Sequence, residues 1–167
     1  MNTRIIKQFG IKLITLVMVL LVGSISVLVE PTWAVNYNNR ALIDTDFSHQ
    51  DLRDASFDHA SLRGSDFSYS DLSGVRLFGS NLSRVNFTGA NLSNADLESC
   101  RLTRANFTNA ILTGAFMTNT LLDEAIIEGA DFTNALLSPI TEKILCEKAS
   151  GTNPTTGRNT KDTLFCP

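Results

Sequence analysis

Every fifth residue of this chain, from Leu42 to Leu137, is large and apolar without a break. The series begins Leu42, Phe47, Leu52, Phe57, Leu62, Phe67, Leu72, Leu77, Leu82 and Phe87. It continues Leu92, Leu97, Leu102, Phe107, Leu112, Met117, Leu122, Ile127, Phe132 and Leu137. Two residues before each centre the chain is small or modest, and by mid-array it is mostly alanine, as at Ala90, Ala95, Ala105 and Ala110. A period of five suits neither an amphipathic helix nor simple strand alternation, so stacking of one segment on another must set it. In extended chain, the centre and the small residue two earlier point to the same side. The residue two after the centre is often Gly or Asn (Gly64, Gly79, Gly89, Asn94, Gly114), which tolerates positive φ. Each unit therefore reads as a short extended piece and a tight turn. Ser or Thr after the centre supplies a polar outer wall.

The phenylalanines predict how many units close one circuit. Phe47, Phe67, Phe87 and Phe107 are twenty apart, as are Leu42, Leu62, Leu82, Leu102 and Leu122. Four five-residue sides per coil would stack each set into a ladder, with coils about 4.8 Å apart. Twenty units then make five coils, a prism about 24 Å tall on that spacing.

The run Ala90-Asn91-Leu92-Ser93-Asn94-Ala95-Asp96-Leu97 carries the A(D/N)Lxx signature and resembles pentapeptide-repeat proteins. The resemblance covers about 100 of 167 residues and implies an all-β, right-handed quadrilateral β-helix. That hand agrees with the general rule for parallel crossovers. Each unit buries too little alone, so only a continuous stack should be stable.

Around the array, residues 1–34 read as a cleavable export signal. Arg4, Lys7 and Lys12 precede or open an apolar run over 13–29, and Thr32-Trp33-Ala34 places small or modest residues at −3 and −1. The alternative is an uncleaved membrane anchor of minimal length. Residues 35–40 form a short lead-in, 41–138 the repeat β-helix, and 139–167 a C-terminal cap. Ser138 is placed to cap a short helix, Pro139 fits its first position, and Gly151 fits its exit. Ile140, Ile144 and Leu145 give that helix an apolar face to lay over the last coil.

Three cysteines sort by position. Cys100 occupies the inward position otherwise held by alanine, so a buried free thiol is expected. Cys146 and Cys166 both lie in the tail, and an oxidising compartment favours a bridge between them, the alternative being two unpaired thiols. The bridge closes a loop of about twenty residues, worth about 3 kcal/mol on the chain-entropy model. The tail from Gly151 to Cys166 also resembles the ending of cyanobacterial and chloroplast thylakoid-lumenal pentapeptide-repeat proteins. That implies a thylakoid-lumenal or periplasmic location and no established activity.

No catalytic constellation, cofactor motif or metal set emerges. His49 and His59 fall at outward turns two sides apart, and no serine has a base at useful spacing. Asn-x-Ser/Thr matches arise from the pentad itself. The early coils are acidic, with Asp46 stacking on Asp66 and Asp51 on Asp71 at about one coil spacing. Either a cation such as Ca²⁺ offsets those carboxylates, or they cap nearby backbone N–H groups. Arg84 and Arg104 stack in one column with Arg63 and Arg101 on the same side, and this strip either suits an acidic partner or anionic headgroups or is a solvated face. Finally, the position before the centre, usually Asp or Asn, becomes Ile111, Phe116, Leu121, Ile126 and Leu136 late in the array. Such a belt is either covered by the tail (Ile144, Leu145, Leu164, Phe165) or is an interface.

The expectation is a non-catalytic interaction module of an exported compartment, with an unknown protein partner or a second copy at the belt. No nucleic-acid binding is expected from a net charge of −3, and membrane contact only through an uncleaved signal. The alternatives are a DNA-mimicking, topoisomerase-protecting pentapeptide-repeat protein and a metal-dependent enzyme using Asp46 or Asp66. Against the first, Arg76, Arg84, Arg101 and Arg104 interrupt an acidic rod.

Overall fold

The computed structural model describes residues 34–167. The expected export segment, 1–34, lies outside them apart from Ala34. A two-residue strand β1 (Val35–Asn36) pairs in parallel with β2 (Ala55–Ser56), one full coil later. From Ala41 onward, the residue before each centre bridges in parallel to the residue 20 places on, ending with Phe116 and Leu136. Four bridge columns repeat in each coil, and four tight turns separate them. We number the walls by their first centres: Leu42 for the first, Phe47 the second, Leu52 the third and Phe57 the fourth.

The backbone N–H groups explain the pentad. In one mid-array unit, Phe87 N–H donates to the Asn106 carbonyl at 2.7 Å and Gly89 N–H to Thr108 at 2.9 Å. Ala90 N–H closes the turn onto Phe87 at 3.0 Å, and Asn91 N–H reaches back to Ser70 at 2.9 Å. The fifth donor, Thr88 N–H, has no backbone acceptor and is taken by Asn86 Oδ1 at 3.2 Å. The same local bond joins Asp46 to Ser48, Asp66 to Ser68, Asn91 to Ser93 and Asp131 to Thr133. Asp or Asn before the centre is thus a hydrogen-bonding requirement of the turn, since a short side-chain acceptor satisfies an N–H the ladder leaves over.

The turn glycines have a different cause from the one expected. Positive φ is held equally by Tyr69 (56°), Arg84 (60°), Arg104 (61°) and Glu124 (55°), so that conformation does not select glycine here. At several corners, though not at Gly74, glycine stands where the side chain one coil earlier lies over it. A Cβ on Gly89 would sit 2.7 Å from the Tyr69 ring, and one on Gly64 would strike Asp44 Oδ1.

Inside, the second wall stacks Phe47, Phe67, Phe87 and Phe107 with ring centroids 4.8, 5.5 and 5.3 Å apart. All four are fully buried. Phe57 meets Phe47 and Phe67 edge-on, the arrangement aromatic quadrupoles favour. Tyr37 stacks on Phe57 at 4.9 Å. The lead-in expected over 35–40 therefore already forms one side of the prism, because Tyr37 is five residues ahead of Leu42 and acts as a centre. At the small inward position, Ser65 donates to the Leu42 carbonyl at 2.6 Å, and Cys100 Sγ lies 2.9 Å from the Leu77 carbonyl.

The tail closes the C-terminal end. Helix α1 (Pro139–Cys146) starts where expected, with Ser138 Oγ accepting from Thr141 N–H at 3.1 Å. It stops at Cys146 rather than near Gly151, because the chain turns there and continues as a strap. Leu145 and Ala149 are buried, and Lys148 Nζ donates to the Ala125 carbonyl at 2.6 Å. Gly151 serves the strap: a Cβ there would lie 2.8 Å from Gly129 N. Asn153 is fully buried, its amide donating to the Asn109, Ala110 and Gly129 carbonyls at 3.1, 3.2 and 2.9 Å. A second short helix, α2 (Thr160–Thr163), was not expected. Its Thr163 hydroxyl accepts from Phe132 N–H at 3.1 Å, serving a donor that a further coil would otherwise take. A Cys146–Cys166 disulfide ties α1 to the end of the tail.

Candidate interaction surface

Two surface features depart from what the ladder needs, and both lie on the walls. The first is the apolar belt. Phe116, Leu121, Ile126 and Leu136 remain 41, 51, 52 and 52% exposed. Phe116 and Leu136 bridge one another on the fourth wall, Leu121 heads the first, and Ile126 heads the second. Ile111 is half-buried on the third wall, beneath Asp131. The tail does not cover this belt, contrary to one expectation. Leu145 and Leu164 are buried against the coil end, while Ile144 and Phe165 stay exposed. The reason is the strap itself, which Asn153 pins over Asn109, Ala110 and Gly129 at the corner between the second and third walls.

The belt also costs the turn its local acceptor. Among the described residues, the N–H groups of Thr113, Thr118, Asp123, Glu128 and Ser138 find no protein acceptor. These are the donors that Asp or Asn would cap in place of Ile111, Phe116, Leu121, Ile126 and Leu136. The N–H groups of Ile43, Arg63, Phe78 and Thr103, which follow Ala41, Ser61, Arg76 and Arg101, are likewise without an acceptor, so what sets the belt apart is that large apolar side chains fill the position in neighbouring pentads.

The second feature is charge. Arg84 and Arg104 occupy successive corners of the first wall, and Arg101 lies on the wall itself. Arg104 is engaged: its guanidinium donates two hydrogen bonds to the Glu124 carboxylate, at 2.8 and 3.1 Å. That bond lowers the Glu124 carboxyl below its usual range and raises Arg104. Arg84 and Arg101 are exposed and form no ion pair among the described residues.

The acidic early coils resolve as hydrogen-bonded caps. Asp46 accepts from Ser48 O–H at 2.7 Å, which holds its carboxyl low, and Asp66 accepts from Asn86 at 3.0 Å. Asp51 and Asp71 share Arg53 at 2.6 and 3.6 Å, and the Arg53 hydrogen bond draws Asp51 down to about 2. Among the described residues, no group of three or more His, Cys, Asp or Glu side chains is placed to hold a metal ion. His49 stacks on Tyr69 and His59 lies edge-on to Phe78, at different corners. Cys100 is buried, and that burial pushes its thiol up to about 12, so it is no nucleophile at neutral pH. Shallow concavities occur on the tail, one by Thr133, Arg158 and Phe165, another by Pro139, Lys143 and Cys166.

Comparison with known proteins accords with this architecture. Residues 50–132 match the family model described as a pentapeptide repeat region. A pentapeptide repeat protein from the Arabidopsis thaliana thylakoid lumen, solved by crystallography, is 34% identical. The match covers 77% of this chain and 89% of that one, with a TM-score of 0.53. A pentapeptide repeat protein from Nostoc PCC 7120 is 22% identical over 62% of this chain and 84% of its own, with a TM-score of 0.51. The chloroplastic thylakoid lumenal protein TL20.3 of Arabidopsis thaliana is 48% identical over 42 residues, 25% of this chain. Those residues make up 15% of that relative, so the chain spans a small part of its length. The parallel ladder of 20-residue coils, closed by a disulfide-tied tail, is a right-handed β-helix, and the chain belongs to the pentapeptide-repeat family.

Proposed function

We propose that this chain is a non-catalytic protein-interaction module of an exported, lumenal compartment, and that the late apolar belt is its principal contact face. One observation carries the reading. Phe116, Leu121, Ile126 and Leu136 are exposed and uncovered, and each forgoes a local hydrogen bond that Asp or Asn would supply at the same position. At a half-exposed position the lost bond and the apolar burial roughly offset one another, so the stack itself gains nothing from the apolar residue. Apolar side chains there gain most when something else takes them out of water. The lumenal placement draws on the relatives described above and on the export segment expected over 1–34, and the tail disulfide suits an oxidising compartment.

The test is site-specific photo-cross-linking in the native compartment, with the reactive group at Phe116 or Ile126 and, as a control, at Asn94. A reproducible adduct from the belt and none from Asn94 is expected. Sedimentation of the purified protein distinguishes a separate partner from a second copy. Equal or absent capture at both places removes the reading.

A further inference from the structure

The arginines of the described chain divide cleanly. Arg53, Arg76, Arg104 and Arg158 each meet a carboxylate of the same molecule, at 2.6, 3.0, 2.8 and 3.2 Å respectively. Arg40, Arg63, Arg84 and Arg101 meet none among the described residues, and all four belong to pentads of the first wall. All four are exposed. The charge of the prism follows the same division. With each residue assigned to the wall of its pentad, the first wall has five arginines against three carboxylates, and the other three walls together have two against ten. A chain whose net charge is −3 thus presents one basic wall.

We infer that the first wall is a docking strip for an acidic segment of a partner protein, read by Arg63, Arg84 and Arg101 and ended by Leu121. The inference rests on the interaction-module reading and adds the chemistry of the partner. Charge complementarity supplies the attraction, and the placement of the wall's own carboxylates decides its source. Asp44 lies at the N-terminal end of the wall, and Asp123 and Glu124 at the C-terminal end, so the unpaired guanidiniums are bracketed by negative charge. A uniformly anionic plane such as a lipid surface would meet the carboxylates along with the arginines. A narrow segment can set its acidic run on the arginines of the middle coils and bring only an apolar end to Leu121, in the pentad of Asp123 and Glu124.

The spacing fits such a segment. Arg63, Arg84 and Arg101 come from three successive coils about 4.8 Å apart, so they span about 10 Å along the stack while stepping across the wall, since Arg63 follows its centre, Arg84 stands at the corner and Arg101 precedes its centre. An extended chain rises about 3.3 Å per residue, so carboxylates at alternate positions cover that span within about five residues. One coil further on, Leu121 is half-exposed on the same wall and suits an apolar side chain just past the acidic run. Guanidinium groups favour this role because they bind carboxylates bidentately and hold their charge at any pH in the compartment.

The experiment uses the mature protein and three probes followed by fluorescence anisotropy. They are a peptide with three alternating glutamates and a following leucine, its lysine counterpart, and vesicles rich in anionic lipid. The expected result is binding of the glutamate peptide alone, weakened by added salt as screening requires. Binding should fall at least tenfold in the Arg63→Ala, Arg84→Ala, Arg101→Ala variant, whose far-ultraviolet spectrum should match the parent. Leu121→Ser should weaken it about threefold. Unchanged binding in the triple variant, no binding of the glutamate peptide, or preference for vesicles overturns the inference. So does self-association of the parent that the triple variant loses, since the strip would then belong to a second copy. Cross-links from the belt that persist in the triple variant would leave the module reading standing and remove only this one.

Discussion

The local acceptor before each centre makes a reciprocal prediction, because the chain offers the same position in both forms. Asn91 is a capped example: its Oδ1 accepts from Ser93 N–H at 3.2 Å and Ser93 O–H at 2.7 Å, and its amide donates to Asp71 at 3.1 Å. Asn91→Leu removes all three bonds. Each is worth about 0.5–1.5 kcal/mol net, toward the lower end here because Ser93 is half-exposed and water can replace the acceptor. The new leucine lies one coil from Ile111 and recovers about 0.5–1 kcal/mol of apolar burial. The variant should therefore lose about 1 kcal/mol, or about 4 °C in Tm for a domain of this size. Ile126→Asn runs the other way. It restores an acceptor for Glu128 N–H and continues the polar column of Asp66, Asn86 and Asn106, gaining about 1 kcal/mol. Ile126 is half-exposed, so about half of a full isoleucine burial is lost, also about 1 kcal/mol. Its stability should stay within about 0.5 kcal/mol of the parent on those terms. Urea unfolding followed by circular dichroism reads both, the midpoint shifting at constant slope. Asn91→Leu matching or exceeding the parent would refute the reasoning. A loss above about 2 kcal/mol for Ile126→Asn would also do so, since it exceeds what a half-buried isoleucine can forfeit.

Further outcomes follow from the core and the cap. Phe87→Ala removes a fully buried ring stacked on two others and should cost about 3–5 kcal/mol in the same unfolding assay. Asn153→Ala leaves three coil carbonyls without their shared amide donor and should free the strap. Faster hydrogen exchange at Gly129 and Phe132, with exchange at Phe87 unchanged, would show that. Burial raises the Asp131 carboxyl, but Thr133, Thr156 and Arg158 outweigh this by hydrogen bonding and hold it below its ordinary 3.8. A depressed carboxyl stabilises the fold above 3.8 and loses that contribution as pH falls through the lower folded value. Cap loosening on acidification should therefore be blunted in Asp131→Asn, as read by exchange at Phe132. Cys100 should resist alkylation at pH 8 in the native protein and react once it is unfolded, because burial holds the thiol neutral and out of reach.

How much of this could be read from the residues varies with the physics involved. The twenty-residue coil was legible because the phenylalanines mark it: Phe47, Phe67, Phe87 and Phe107 have to share a wall if the period is right, and their rings do stack. Tyr37 was legible in principle, since it is five residues ahead of Leu42, but the polar residues around it hid the register. The corner glycines needed two coils at once. Tyr69 and Gly89, or Asp44 and Gly64, are twenty apart, and only the stacked geometry shows one lying over the other. The tail was legible in its start and its bridge but not in its path. Nothing local to Asn153 signals that its amide spans carbonyls 24 to 44 residues away.

The candidate surface follows from the same accounting, by subtraction. In a pentad the centre and the small residue are fixed by the core, the residue before the centre by a leftover N–H, and some corner positions by the side chain one coil back. What these demands do not explain is free to serve recognition. On the fourth wall, Arg76 is accounted for, since it joins Asp58 and Asp96. On the first wall, Arg63, Arg84 and Arg101 answer no demand of the stack, and Leu121 acts against one. Stability alone calls neither for an apolar residue at 121 nor for unpaired arginines gathered on one wall. The unpaired arginines and Leu121 share one wall, so the two proposed contacts, belt and basic strip, adjoin there. If they act as one, an acidic partner should protect Leu121 and Arg101 together, and a partner that shields the belt on the second and fourth walls while leaving Arg84 open would separate them.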